Sequence, residues 1–362
     1  MVRGKEKVLL QPFYSKRLAL KNRVVLSAVP TGFVEKGVPT DKNVQFYGDR
    51  ARSVGLIIAG AINIPHETAS NYEGMPEIGT PEQILAWKKI TDEVHRQDSK
   101  IIAQLWHSGG YRQLCATEEI MTMTPSGIIN GQIVGDPMTV QEIKSVIDAF
   151  LVSAINSKKA GFDGIEIHGA HSGLIHNFLS IDTNERTDDY GLSNRTLFAQ
   201  KVIRLCRAAV GEDFPILFRL SNFQMYDLGA RISETPEELE AILDPLVKAG
   251  IDIFDCSALD FREDAFGETE GNLAYWVKKL TDKPVIAVGS AGSEQHFVAD
   301  IMSIIQKMKK GADFLNLSNM EGKARIYYKE ELFKQLEEGA FDLVALGRLI
   351  LLDAVWVEKL KM

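Results

Sequence analysis

Seven histidines are spread along the chain, and three of them, His168, His171 and His176, fall within one nine-residue stretch. His168 and His171 stand three apart just beyond a short apolar run, GIEI, a spacing that lets two ring N–H donors converge on a single oxygen. Such a pair suits a carbonyl or phenol oxygen on which negative charge develops. A metal reading needs a third ligand. No carboxylate lies in the register of an HExxH helix, and Glu166 faces the side of its strand opposite the odd-numbered positions. Cys115, Cys206 and Cys256 lie far apart and form no CxxC, so cysteine builds neither a zinc site, an iron–sulfur cluster nor a disulfide framework here. No metal is expected.

Other polar residues follow apolar runs in the same way: Gln104 and His107, Arg219, the run Gly289-Ser290-Ala291-Gly292, and Gly347-Arg348. The elements that must position them are short strands rich in Val, Ile, Leu and Phe, at 24–29, 55–62, 100–105, 164–168, 216–220, 253–257, 285–288 and 343–346. Amphipathic helices run between them. Thr80-Pro81-Glu82 and Thr235-Pro236-Glu237 pair an N-cap with proline at the first helical position, and Gly161, Gly211 and Gly250 stand at helix C-termini. Strands apolar on both faces that alternate with helices predict a parallel sheet covered by helices, and eight such units predict a (β/α)8 TIM barrel, an α/β fold.

No linker divides the chain, so residues 1–362 read as a single domain. The barrel needs about 250 residues; the surplus is expected as a hairpin over the mouth at 111–139, after strand three, and as an insertion at 303–338, between strands seven and eight. A doubly wound sheet is the rival, but no GxGxxG opens a helix after an early strand. In a barrel, the site lies at the C-terminal strand ends. There the two glycine loops and Arg348 suit a phosphate, while Gln104 and Arg219 offer donors to an electron-rich planar ring.

Composition narrows the partners. Lys and Arg number 41 against 49 Asp and Glu, with no basic block, which argues against nucleic acid. No apolar run reaches the roughly 18 residues of a membrane span, and the first twenty residues lack a secretory core. A reduced, cytoplasmic protein acting on a small molecule is expected. A homo-oligomer has no signature either way.

The segment from Gly161 to Ser180, GFDGIEIHGAHSGLIHNFLS, followed by NERTDDYG at 184–191 and Asn194-Arg195, resembles the signature region of the Old Yellow Enzyme family of FMN-dependent oxidoreductases. Supporting matches are KNRVV at 21–25, GVPT at 37–40, GLII at 55–58, QLWH at 104–107 with Gly109, IDIFDCS at 251–257 and DLVALGR at 342–348. Length and cysteine content resemble the short, barrel-only form. The resemblance implies an FMN lying across the barrel mouth, reduced by NADH or NADPH and reoxidised by a quinone, an electron-poor alkene or oxygen. It implies Gln104 and Arg219 at the pyrimidine edge, Gly60 against the ring system, Ala28, Val29 and Pro30 beside it, and Gly289, Ser290, Gly347 and Arg348 at the phosphate. His168, also counted among the flavin contacts, and His171 would hold the substrate oxygen as the catalytic pair.

Two positions depart from the family. The tyrosine that supplies a proton to the alkene carbon, two residues after the second histidine, is here Gly173, leaving Tyr111 and Tyr226 as substitutes in the substrate pocket. The residue after strand one that is Thr or Cys in much of the family is Pro30, or Thr31 after a one-residue slip. The expected activity is an NAD(P)H:flavin oxidoreductase. The alternatives are a flavin-binding barrel with decayed or non-alkene chemistry and a flavin-free phosphate-binding barrel enzyme.

Overall fold

The computed structural model describes residues 4–70, 74–115, 122–267, 269–290 and 328–361. Eight parallel strands close into a barrel: β1 (Val24–Leu26), β2 (Leu56–Asn63), β3 (Lys100–Trp106), β4 (Gly164–Gly169), β5 (Ile216–Ser221), β6 (Ile253–Ser257), β7 (Val285–Val288) and β8 (Leu343–Ala345). Neighbours pair in sequence order, and β8 returns to β1. All eight lie where the apolar runs predict them. The first is shorter than its run, since residues 27–29 lie outside the ladder.

The outer ring comprises α1 (Asp41–Ala51), α2 (Pro81–Arg96), α3 (Val140–Lys159), α4 (Leu197–Val210), α5 (Pro236–Ala249), α6 (Leu273–Thr281), α7 (Lys329–Glu337) and α8 (Gly347–Leu352). Thr80 and Thr235 cap α2 and α5 by accepting the N–H groups of Gln83 and Glu238, both at 3.2 Å. The strands and helices bury one continuous apolar layer between them.

A second, smaller apolar cluster fills the lower barrel interior with Val25, Leu56, Ile58, Ile102, Leu217, Ile253, Ile286 and Leu343. An N-terminal hairpin, Phe13–Tyr14 paired with Ala19–Leu20, adds Phe13 and Leu20 to it. Two residues further along β3, β5 and β6 the same inward face turns polar: Ile102 is followed by Gln104, Leu217 by Arg219 and Ile253 by Asp255. The barrel is therefore apolar at its base and charged below its mouth.

The segment after β3 contains the expected hairpin, Ile128–Ile129 against Gln132–Ile133. Asn130 and Gly131 form its turn with positive φ angles of 48° and 73°, the pattern of a type I′ connection. Of the insertion expected at 303–338, residues 303–327 lie outside the described residues, and 329–337 form α7.

Candidate active site

The two catalytic candidates sit on either side of a tight turn after β4. His168 is inside the strand, and Gly169 follows because any side chain there would run into the Phe218 ring. His171 and Ser172 then adopt left-handed φ angles of 56° and 60°, a conformation that costs L-residues roughly 1–2 kcal/mol each. The end of β5 holds them there. The His171 N–H donates to Ser221 Oγ at 3.0 Å, and Ser172 Oγ accepts from the Met225 N–H at 2.9 Å. His176 completes the clamp: its Nδ1 accepts from the Ser172 N–H and its Nε2–H donates to the Ser221 carbonyl. Both ring nitrogens are committed, burial holds its pKa down at about 4, and the ring is a neutral structural element.

This turn brings the His168 and His171 rings to a centroid distance of 5.4 Å. Burial, reinforced by the charge of Arg219, holds both well below the usual histidine range. They are therefore neutral at physiological pH, which leaves each ring one N–H to donate. His168 Nδ1 is buried and meets no protein partner. His171 Nε2 lies 2.9 Å from Ser257 Oγ at the end of β6, a contact that the sequence spacing does not reveal.

Below the pair is a polar layer. Gln104 Nε2 donates to Glu166 Oε1 at 2.7 Å, Arg219 Nη1 donates to Ser27 Oγ at 3.0 Å, and Arg219 lies 3.5 Å from Asp255. Arg219 Nε is buried with no protein partner. Gly60, from β2, reaches the same layer: an added Cβ would stand 3.0 Å from Gln104 Cβ and 3.1 Å from the Ile62 nitrogen. The structure places Gln104, Gly60 and Arg219 in one layer of the barrel interior. Glu166 and Asp255, buried at the same level and in register with Gln104 and Arg219, are further members of this layer that the strand-end pattern does not single out.

The described residues that follow β7, β8 and β1 lie at the same end of the barrel as this layer. A Cβ on Gly289 would meet the Ala258 carbonyl and the Phe261 nitrogen, each at 2.9 Å, so only glycine fits. The Ser290 hydroxyl donates to the Leu259 carbonyl at 2.7 Å, so its side chain ties down the loop. Ala291 and Gly292 lie outside the described residues. Gly347 is bare on its inner side, with Ser27 Cβ the nearest atom at 4.0 Å, and Arg348 beside it is half-buried. Ala28, Val29 and Pro30 are half-buried, whereas Thr31 is buried and its hydroxyl accepts from Asn43 Nδ2 at 2.7 Å. Thr31 thus ties the loop after β1 to the first turn of α1.

The tyrosines separate. The Tyr226 hydroxyl accepts from Asn177 Nδ2 at 2.7 Å and also bonds Ser172 and Thr183, while burial pushes its pKa up to about 12. It braces the histidine turn. Tyr111 instead packs edge-on against Trp106, with centroids 5.8 Å apart, and joins Phe223 and Met225 in a small apolar cluster apart from the main core. Trp106 in turn lies edge-on to His168, and its buried Nε1–H meets no partner. A Cβ on Gly173 would stand 3.0 Å from that nitrogen. The indole occupies the space next to the missing tyrosine.

His107, at the end of β3, is committed to the scaffold. Its Nδ1 accepts from the Gly109 N–H at 3.1 Å, its Nε2 lies 2.9 Å from Thr68 Oγ1, and burial lowers its pKa to about 3. A folded-state pKa below the unfolded value means that the unfolded chain binds more protons. The stability gained by keeping the ring neutral is complete above about pH 6.5 and drains as pH falls towards the folded value. Between pH 7 and 5.5 the His107→Gln variant should therefore lose less melting temperature than the parent. Equal slopes would show that His107 does not carry this linkage.

The NADH:flavin oxidoreductase / NADH oxidase family matches this chain over residues 8–307, and the chain belongs to that family, the Old Yellow Enzyme family. Its members use FMN with NAD(P)H as reductant. The chain is 33% identical to 12-oxophytodienoate reductase 1 of Oryza sativa subsp. japonica over 95% of its own length and 83% of that protein. It is 29% identical to 12-oxophytodienoate reductase 7 of the same organism over 99% and 89%. Among solved structures, morphinone reductase in complex with tetrahydroNAD superimposes with a TM-score of 0.77 over 98% of this chain and 90% of that one, at 22% identity. That similarity concerns the barrel fold.

Proposed function

We propose that this protein is an FMN-dependent NAD(P)H oxidoreductase that passes hydride to a flat, conjugated acceptor, a quinone or an electron-poor alkene, whose oxygen is held by His168 and His171. The observation that carries the reading is the convergence at the barrel mouth of neutral histidine donors, buried donors without protein partners on Arg219 and Trp106, and glycines at 60 and 347. A planar cofactor rich in acceptor atoms fits that set. FMN, when bound, supplies the two-electron carrier between the nicotinamide and the acceptor.

The chain's own residues have separable tasks. Gln104 and Arg219 orient the ring by its pyrimidine edge, with Gly60 and residues 28–30 alongside. Gly289, the backbone at Ser290, Gly347 and Arg348 hold the phosphate end. The two histidines stabilise the oxyanion that develops when hydride is added, and their neutrality spares the site a competing proton. Trp106, Tyr111 and Phe223 form an aromatic wall suited to a flat substrate and exclude water from it. Among the described residues no helix is long and apolar enough to cross a membrane, and we place the enzyme's action in the reducing cytoplasm.

An absorption spectrum recorded without air, before and after adding NADH or NADPH, tests the reading. A flavin spectrum that bleaches with either nicotinamide is expected, and heat-released cofactor should migrate as FMN. A colourless protein that takes up no FMN, or released FAD, would overturn it. Arg348→Ala should weaken FMN retention roughly tenfold to a hundredfold, the equivalent of about 1.5–3 kcal/mol for a charge-assisted hydrogen bond, while leaving the spectrum of the retained flavin unchanged. An unaltered dissociation constant would remove Arg348 from the phosphate site.

A further inference from the structure

Glu166 and Asp255 are fully buried inside the barrel, at the level of Gln104 and Arg219. Their carboxyl groups lie against each other across the barrel interior, close enough for each to perturb the other. Yet Glu166 Oε2 and both oxygens of Asp255 meet no protein donor. Two ionised carboxylates are acceptors only, so the contact between them requires a proton. Charge counting agrees. Arg219 supplies one positive charge, the neighbouring His168 and His171 are neutral, and Gln104 and Ser27 carry none. One ionised carboxylate balances Arg219, whereas two would leave an uncompensated buried charge.

The geometry also chooses the carboxyl that carries the proton. Asp255 lies 3.5 Å from Arg219 Nη1, where a negative charge is favoured. Glu166 accepts from the Gln104 amide through Oε1, a role that a neutral carboxyl C=O fills equally well, and its other oxygen is left to carry a hydrogen. Burial raises both groups, and Glu166 is raised further by the charge of Asp255.

We infer that Glu166 is a protonated, positioning acid that donates to ionised Asp255, and that this pair aims the Gln104 amide and offsets Arg219 beneath the flavin. Because one N–H of Gln104 is fixed on Glu166, the amide plane is set and its oxygen is presented as an acceptor for a ring N–H. Because Asp255 neutralises Arg219, the guanidinium binds the ring with little net charge to pull the flavin potential upward. The role rests on the FMN reading, but the protonation state does not.

Two measurements test it. Infrared difference spectra of the FMN-free protein at neutral pH, parent minus Glu166→Gln, should show a protonated carboxyl C=O band that the variant lacks. Absence of that band from the parent overturns the inference, whether or not the variants fold. In the FMN-loaded protein, Glu166→Gln should leave the flavin midpoint potential unchanged, since glutamine reproduces both hydrogen bonds of a neutral glutamic acid. The double variant Glu166→Gln/Asp255→Asn should shift it to more positive values. A single variant that shifts as far as the double would mean that Glu166 is ionised, and a double variant with no shift would mean that the pair carries no charge; either result overturns the inference. A protein that shows the carboxyl band but takes up no FMN would refute the flavin reading alone.

Discussion

Replacing His168 and His171 together with alanine is expected to reduce turnover of both quinone and enone acceptors at least a hundredfold while FMN stays bound. Removing one preorganised oxyanion donor typically costs about 10²–10³ in rate, and this variant removes two. The rings meet at 5.4 Å with one nitrogen of His168 unpartnered, so an oxygen placed between them is the natural acceptor. A phenol titration reads the same contact without turnover. In the parent, a phenolate held by the two rings over the flavin should perturb the flavin absorption, and in the double variant that perturbation should vanish. Indistinguishable titrations would reduce the pair to a structural role. His176→Ala gives a contrasting outcome: its loss releases the clamp on residues 171 and 172, so stability should fall along with activity.

Quinone reduction is expected to exceed reduction of a simple cyclic enone, by up to the roughly 10²–10⁴-fold that a positioned general acid supplies, because Gly173 offers no proton to the alkene carbon. Quinones take their protons on oxygen, where solvent serves. Restoring the acid takes more than one substitution. The backbone at Gly173, with φ −66° and ψ 168°, accepts any residue, but a Cβ there lies 3.0 Å from Trp106 Nε1 and 3.3 Å from the carbonyls of Ala170 and His107. The indole is held between Tyr111 and His168 and has little room to yield. Gly173→Tyr alone should therefore leave enone turnover unimproved, whereas Gly173→Tyr combined with Trp106→Leu should raise it. Both substrates are compared at saturating NAD(P)H. Enone turnover equal to quinone turnover in the parent would show that another acid serves, and Tyr111→Phe would then identify or exclude the remaining candidate.

Much of this architecture was legible in the residues alone. Strand runs apolar on both faces, alternating with amphipathic helices, are the pattern of a helix-covered parallel sheet, and eight such units match a closed barrel. Threonine caps and helix-ending glycines act through local backbone geometry, so each was readable from its own few residues, whereas the Asn130-Gly131 turn was located only by the structure. The histidine pair and the Gln104 and Arg219 positions also followed from their places at strand ends.

What the sequence could not determine was which inward side chains would touch. A period of two tells that Gln104, Glu166, Arg219 and Asp255 share the barrel's interior face, but the register between strands sets their heights, and closure alone brings Glu166 against Asp255. The same holds for His171 against Ser257 and for Trp106 beside Gly173, pairs joined across different strands and loops. Tyr226 and Thr31 were ambiguous for a related reason. A hydroxyl serves chemistry or scaffold according to the partner within about 3 Å, and those partners, Asn177 and Asn43, come from elements that only the packed barrel places beside them.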